Sequence, residues 1–201
     1  MSMLRVLNSS ARASVTLLSL CLSWYAAGDP VGAARGLLSG GGAESMAFSI
    51  TSSAFDHQGE IPKRYTCDGK DESPPLSWDG IPEGAQSLVL IVDDPDAPDP
   101  AAPKMTWVHW VLYNIPATVT GLPEAVASAK LPRGTQEGLN DWQRTGYGGP
   151  CPPIGRHRYF FKLYALDTLL TELRKPTKAE LEKAMADHIL ATAELIGTYQ
   201  R

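Results

Sequence analysis

Three apolar runs dominate the pattern of this chain: residues 87–92 (SLVLIV), 107–115 (WVHWVLYNI) and 159–166 (YFFKLYAL). Proline and glycine punctuate the stretches between them. Short runs bounded by such turn residues predict strands, and several in succession predict an antiparallel sandwich or barrel. One helix is expected near the C-terminus. Thr177 and Glu180 form a capping box after Pro176, and Leu181, Met185, Ile189 and Ile196 keep helical spacing up to a stop at Gly197.

Residues two apart on a strand share a face, which sorts the polar groups within these runs. Leu88, Leu90, Val92 and Asp94 fall on one face of the first strand. Trp107, His109, Val111 and Tyr113 fall together on the second, and His157, Tyr159, Phe161 and Leu163 on the third. Each strand thus carries a polar group at or near one end of an apolar face. In an antiparallel sheet those ends can meet and line a pocket.

Composition narrows the picture. Sixteen prolines and eighteen glycines among 201 residues favour a turn-rich, mainly β domain. A net charge of −4 with no basic stripe excludes a nucleic-acid binder that neutralises phosphates over a wide face. The domain is expected over 46–201, and 1–45 reads as leader and linker. Two readings of that leader stand. Arg5 and Arg12 precede ASVTLLSLCLSWYAAG, which has the length of a signal-peptide core and is too short for a stable membrane span. Cleavage near Gly28 would mean export to a compartment such as the periplasm, whereas translation starting at Met46 would mean cytoplasm. Of three cysteines, Cys67 and Cys151 lie in the domain, where a bridge would suit an exporting compartment and free thiols the cytosol.

The segment DDPDAPDP (93–100) sets four carboxylates among three prolines just after the first strand. With His109, His157, Tyr159 and the glycines at 146, 148 and 149, it suggests an anion pocket. The imidazoles, the phenol and the backbone amides would donate to a phosphate or carboxylate oxygen. Asp94 would accept from one histidine and favour its charged form. Asp93 and Asp99 are expected outside, and Pro98 is a candidate for a cis bond.

Other chemistries find weaker support. His109, His157 and Asp94, with Cys67 or Cys151, could ligate a metal, but no HxxxH or CxxC spacing occurs. No GxSxG is present, and the prolines at 150, 152 and 153 deny Cys151 the helix N-terminus that would activate it beside His157. The expectation is therefore a protein without catalysis, cofactor or metal.

DPDAP (94–98), WVHWVLYNIP (107–116) and GPCPPIGRHRYFFKLYALD (149–167) resemble the phosphatidylethanolamine-binding protein (PEBP) family. IPKRYTCDG, SPPLSW and GYGGPCPP resemble its bacterial branch, labelled YbhB/YbcL or Raf-kinase-inhibitor-like. The likeness covers residues 47–201. It implies a β-sandwich of a large and a small antiparallel sheet with a C-terminal helix, and a small anion pocket at one end. Its pocket positions fall on Asp94, Asp96, Trp107, His109, Gly149, Pro150, His157 and Tyr159. It further implies a phospholipid head group or phosphorylated partner as ligand, or inhibition of a kinase or protease through the surface, and homodimers in the bacterial branch.

Overall fold

The structure is a computed structural model that describes residues 46–201; the leader and linker reading of 1–45 lies outside the described residues. Among the described residues, eight strands form two antiparallel sheets. The small one is built from β1 (Ser49–Thr51), β2 (Leu76–Asp79) and β5 (Gly121–Leu122), in that order. The large one runs β6 (Gln136–Glu137), β4 (Met105–Pro116), β3 (Ser87–Ala97), β7 (Arg156–Leu166) and β8 (Ile189–Gln200). The three apolar runs are thus the central strands β3, β4 and β7. Central position explains their composition, since both faces are covered.

The inner face of the large sheet packs Leu88, Leu90, Val92, Leu112, Phe161 and Leu163 against Ile50, Leu76, Trp78 and Leu122 of the small sheet. On the outer face, Val89, Ile91, Val111 and Tyr113 receive Leu181 and Met185 from the helix α1 (Lys178–Met185). The molecule is therefore layered small sheet, large sheet, helix. The capping box at Thr177 and Glu180 is present, with Glu180 N donating to Thr177 Oγ1 and Thr177 N to Glu180 Oε2.

Two expectations fail here. The helix stops at Met185, and the segment beyond it is β8, paired with β7 from Leu166↔Ile189 to Arg156↔Gln200. Leu195, Gly197 and Tyr199 alternate inward along it, a period of two that the Ile189–Ile196 spacing masks. Gly197 is not a helix stop. A Cβ there would lie 2.5 Å from Ile61 Cγ1 and 2.8 Å from Phe55 Cε2, so the position admits no side chain.

The second failure concerns faces. Val92 pairs with Trp110 and Asp93 with Val108, which leaves His109 as an extra residue opposite the β3 ladder. This β-bulge reverses the alternation. Trp107 and His109 stay on the inner side, but Val111 and Tyr113 turn to the outer face, and Trp110 and Leu112 enter the core instead.

Candidate functional site

The site forms where β3 parts from β7. Their pairing ends at Asp93↔Phe160, while β3 follows β4 on to Ala97↔Met105 through a second irregularity. The gap is closed by the end of β3 at Asp94–Ala97 and the corner beyond it, where Ala97–Pro98 is cis, and by the segments 66–71 and 142–153. The result is a cavity of about 420 Å³ lined in part by Asp94, Trp107, His109, Gly149 and His157.

Asp94 and His157 are both buried and paired, with His157 Nδ1 2.7 Å from Asp94 Oδ2. The other carboxylate oxygen accepts from Asp96 N at 2.8 Å, an Asx-type contact that shapes the corner. Burial pushes the Asp94 carboxyl up, against the opposing pull of the His157 hydrogen bond. His157 Nε2 lies 3.0 Å from the Ile154 carbonyl. Both ring nitrogens therefore face oxygen atoms of the protein. Asp94 does accept from a histidine, but His157 has no N–H left for a ligand.

His109 is organised differently. Its Nδ1 is 2.7 Å from the Gly148 carbonyl, while Gly148 N donates to the His109 carbonyl at 3.1 Å. Burial holds the imidazole down to about 4, so it is neutral near pH 7. Since a carbonyl only accepts, Nδ1 carries the proton and Nε2 is a bare lone pair. Nε2 is buried and meets no partner among the described residues. The expected second donor is thus an acceptor.

Tyr159 lies beneath, its ring edge-on to His109 at 5.2 Å and stacked on His157 at 6.4 Å. Burial raises its phenol far above the ordinary tyrosine range, so it stays protonated. Its hydroxyl is also buried without a partner among the described residues.

The amides of Gly148 and Gly149 are not free either. Gly149 N donates to Asp71 Oδ1 at 2.6 Å. A Cβ on Gly149 would lie 2.4 Å from the Tyr65 carbonyl oxygen, so this glycine serves backbone packing. A disulfide joins Cys67 to Cys151 across one wall. That bridge removes Cys151 as a nucleophile. His109, His157 and Asp94 do not converge as ligands, and among the described residues no group of three His, Cys, Asp or Glu is placed to hold a metal ion.

Comparison with known proteins identifies the fold. The profile for phosphatidylethanolamine-binding protein matches residues 51–200. The chain belongs to this PEBP family. Its relatives include a UPF0098 protein of Methanothermobacter thermautotrophicus, 53% identical over 154 residues, covering 76% of this chain and 99% of the relative. The crystal structure of a PEBP homologue from Chlamydia trachomatis is similar at 44% identity and TM-score 0.71, covering 77% of this chain and 98% of that one. E. coli YbcL, described as a member of the mammalian PEBP family, is similar at 35% identity and TM-score 0.69, with the same coverage.

Within this PEBP domain, three anticipated site residues stand back from the cavity. Tyr159 lies under it. Pro150 is buried and uses its carbonyl to accept from Cys67 N at 3.1 Å. Asp96 is buried and gripped by Arg158, with Nε and Nη2 at 2.9 and 2.7 Å from its two oxygens. That fork holds the Asp96 carboxyl below its usual range. Sequence reasoning missed Asp71, Trp142 and Arg144, which line the other wall. Trp142 packs edge-on to both Trp107 and His109, and the Arg144 guanidinium lies 5.7 Å from the Trp142 ring centre. A tryptophan and an arginine two residues apart in the polar segment GLNDWQRTGYGG were the signal available.

Asp93 lies outside the cavity, as expected, yet it is fully buried: it sits on the outer face of the sheet, where Lys162 and Lys178 reach it at 2.9 and 2.6 Å. Asp99 keeps to the corner, accepting from Ala101 N.

Proposed function

We propose that this PEBP domain binds a small anion in the cavity above Tyr159 without turning it over, the ligand being a phosphate group carried by a lipid head group or a phosphorylated partner. One observation carries the reading. The Tyr159 hydroxyl and His109 Nε2, on rings packed edge-on 5.2 Å apart, are buried and meet no partner among the described residues, whereas buried polar groups are nearly always satisfied. His109 itself lines the cavity. The Arg144 guanidinium adds positive charge at the wall. The absence of catalysis is supported by the disulfide at Cys151 and by the contacts that occupy both ring nitrogens of His157.

The test is a titration of inorganic phosphate and phosphoethanolamine into the full chain, followed through the histidine side chains by NMR. Saturable shifts of His109, lost in Tyr159→Phe, are expected. Absence of any shift up to millimolar ligand would reject the reading. The Phe variant keeps the ring and its packing, so loss of binding would report the hydroxyl.

A further inference from the structure

β8 is the outer strand of the large sheet, and only part of its free edge is covered. The segment 57–61 covers the C-terminal part. Gln58 N donates to the Ile196 carbonyl at 2.7 Å, Ile61 N to the Thr198 carbonyl at 2.8 Å, and Thr198 N to the Gly59 carbonyl at 2.8 Å. Ile196 N donates to His57 Nδ1 at 3.3 Å. In an antiparallel ladder the N–H and C=O of one residue point to the same edge, and alternate residues share that edge. Thr192 and Glu194 therefore turn their backbone groups outward as Ile196 and Thr198 do, and on that side they meet no backbone partner among the described residues.

The open stretch is short and bounded. At its start Leu190 is an extra residue opposite the step from Ala165 to Leu166, a bulge that interrupts the ladder. At its end the cover of 57–61 begins. Between the two, residues 191–194 read ATAE, without the lysine or proline that ordinarily blunts a free edge. Both Thr192 and Glu194 are exposed. Such an edge is a template for an added strand.

The two faces beside this edge differ in chemistry. On the inner side a depression of about 370 Å³ is lined in part by Met46, Phe48, Ile81, Pro82 and Ala191. On the outer side a depression of about 290 Å³ is lined by Lys162, Tyr164, Thr192, Ala193 and Glu194. Lys162 and Lys178 are both engaged by Asp93, and Lys178 also lies 3.6 Å from Glu182. Glu194 makes no ion pair among the described residues, so on this face three carboxylates stand against two ammonium groups. Burial, then Glu182, Asp93 and Glu194, push the Tyr164 phenol up to about 12, in keeping with a negative field there.

We propose that the open edge of β8 binds an extended segment of a partner protein in which basic and apolar residues alternate. The backbone of the segment pairs with Thr192 and Glu194. Its basic side chains lie on the outer face towards Glu194 and Glu182, and its apolar ones turn to the inner depression beside Ala191 and Ile81. Successive side chains of an added strand point to opposite faces, so one alternating composition meets both. The cavity opens at the His157 end of β7, away from the stretch of β7 that pairs with 191–194, so peptide binding here is independent of the anion reading.

The experiment adds an acetylated, amidated hexapeptide of alternating valine and lysine to the full chain, with the valine–glutamate peptide as control, and follows amide hydrogen exchange by NMR. At about ten times its Kd the lysine peptide should slow exchange at Thr192 and Glu194 about tenfold, while the His109 signals stay in place. The glutamate peptide should leave both amides unprotected. Thr192→Pro, a change that an edge strand tolerates, should abolish the protection at Glu194. Glu194→Lys alters an exposed side chain and should reverse the preference between the two peptides. No protection up to millimolar lysine peptide would overturn the proposal, and equal protection by both peptides would overturn its basic partner. Protection of both amides before any peptide is added would overturn it too, in favour of a second copy of the chain where it grows with protein concentration.

Discussion

Asp93 and Asp94 are neighbours on β3, yet their carboxylates serve opposite faces of the large sheet. Asp94 turns to the cavity and His157, and Asp93 turns to Lys162 of β7 and Lys178 of α1. The alternation of a strand makes one dipeptide both a site residue and an anchor for the helix layer.

The anchor can be tested apart from the site. Asp93→Asn leaves two partly buried ammonium groups without their counter-charge, and such losses cost about 3 kcal/mol. Urea unfolding should show that decrease while phosphate titration of the folded variant stays close to the parent. Equal stability would mean the lysines find water instead.

Acid should weaken the fold through His109. Its folded-state value of about 4 lies below the 6.5 of the free side chain. Between these values the unfolded chain takes a proton that the folded one refuses. Stability is therefore full above pH 6.5, declines as pH falls towards 4, and levels off below. At about 1.4 kcal/mol per pH unit, the loss amounts to about 3 kcal/mol. Urea midpoints at pH 7 and pH 4 should differ by that much more in the parent than in His109→Gln.

The disulfide spans 84 positions and ties the 66–71 segment to the wall at 150–153. Replacing both cysteines by serine should lower stability by about 2–4 kcal/mol. Ligand affinity should fall as well, because the bridge borders the cavity. A stability loss with unchanged affinity would show that the walls hold their shape on packing alone.

Arg158 makes a fork on Asp96 from the strand that also carries His157 and Tyr159. Arg158→Met removes it and leaves a buried carboxylate that retains only the Arg158 backbone N–H. A loss of about 2 kcal/mol is expected from the charged hydrogen bonds. The Asp96 carboxyl, now held low by that fork, should titrate higher by carbon-detected NMR.

Much of this was legible because it is local. The three central strands announce themselves as apolar runs, and the faces of β3 and β7 follow from simple alternation through to Asp94, His157 and Tyr159. The face of β4 does not, since the bulge at His109 is set by its pairing with β3 rather than by its own residues. β8 was misread because Ile189 and Ile196 extend the helical spacing of Leu181 and Met185, and only pairing with β7 selects the other period. Asp71, Trp142 and Arg144 reach the cavity through long-range ties, namely the disulfide and the Gly149–Asp71 hydrogen bond, that no local pattern records. The sequence did point to the pocket, but took His109 for a donor, because a tautomer depends on which carbonyl stands opposite the ring.

The cavity is made of two kinds of material. Its floor, His109 and His157, stands on paired strands, whereas much of its wall belongs to segments outside the sheets, clipped by one covalent bond. Residues 142–153 can therefore change in length or bulk without disturbing the strands that carry the reading chemistry. Such an arrangement separates the part of the cavity that is free to vary from the part that the sheet holds fixed.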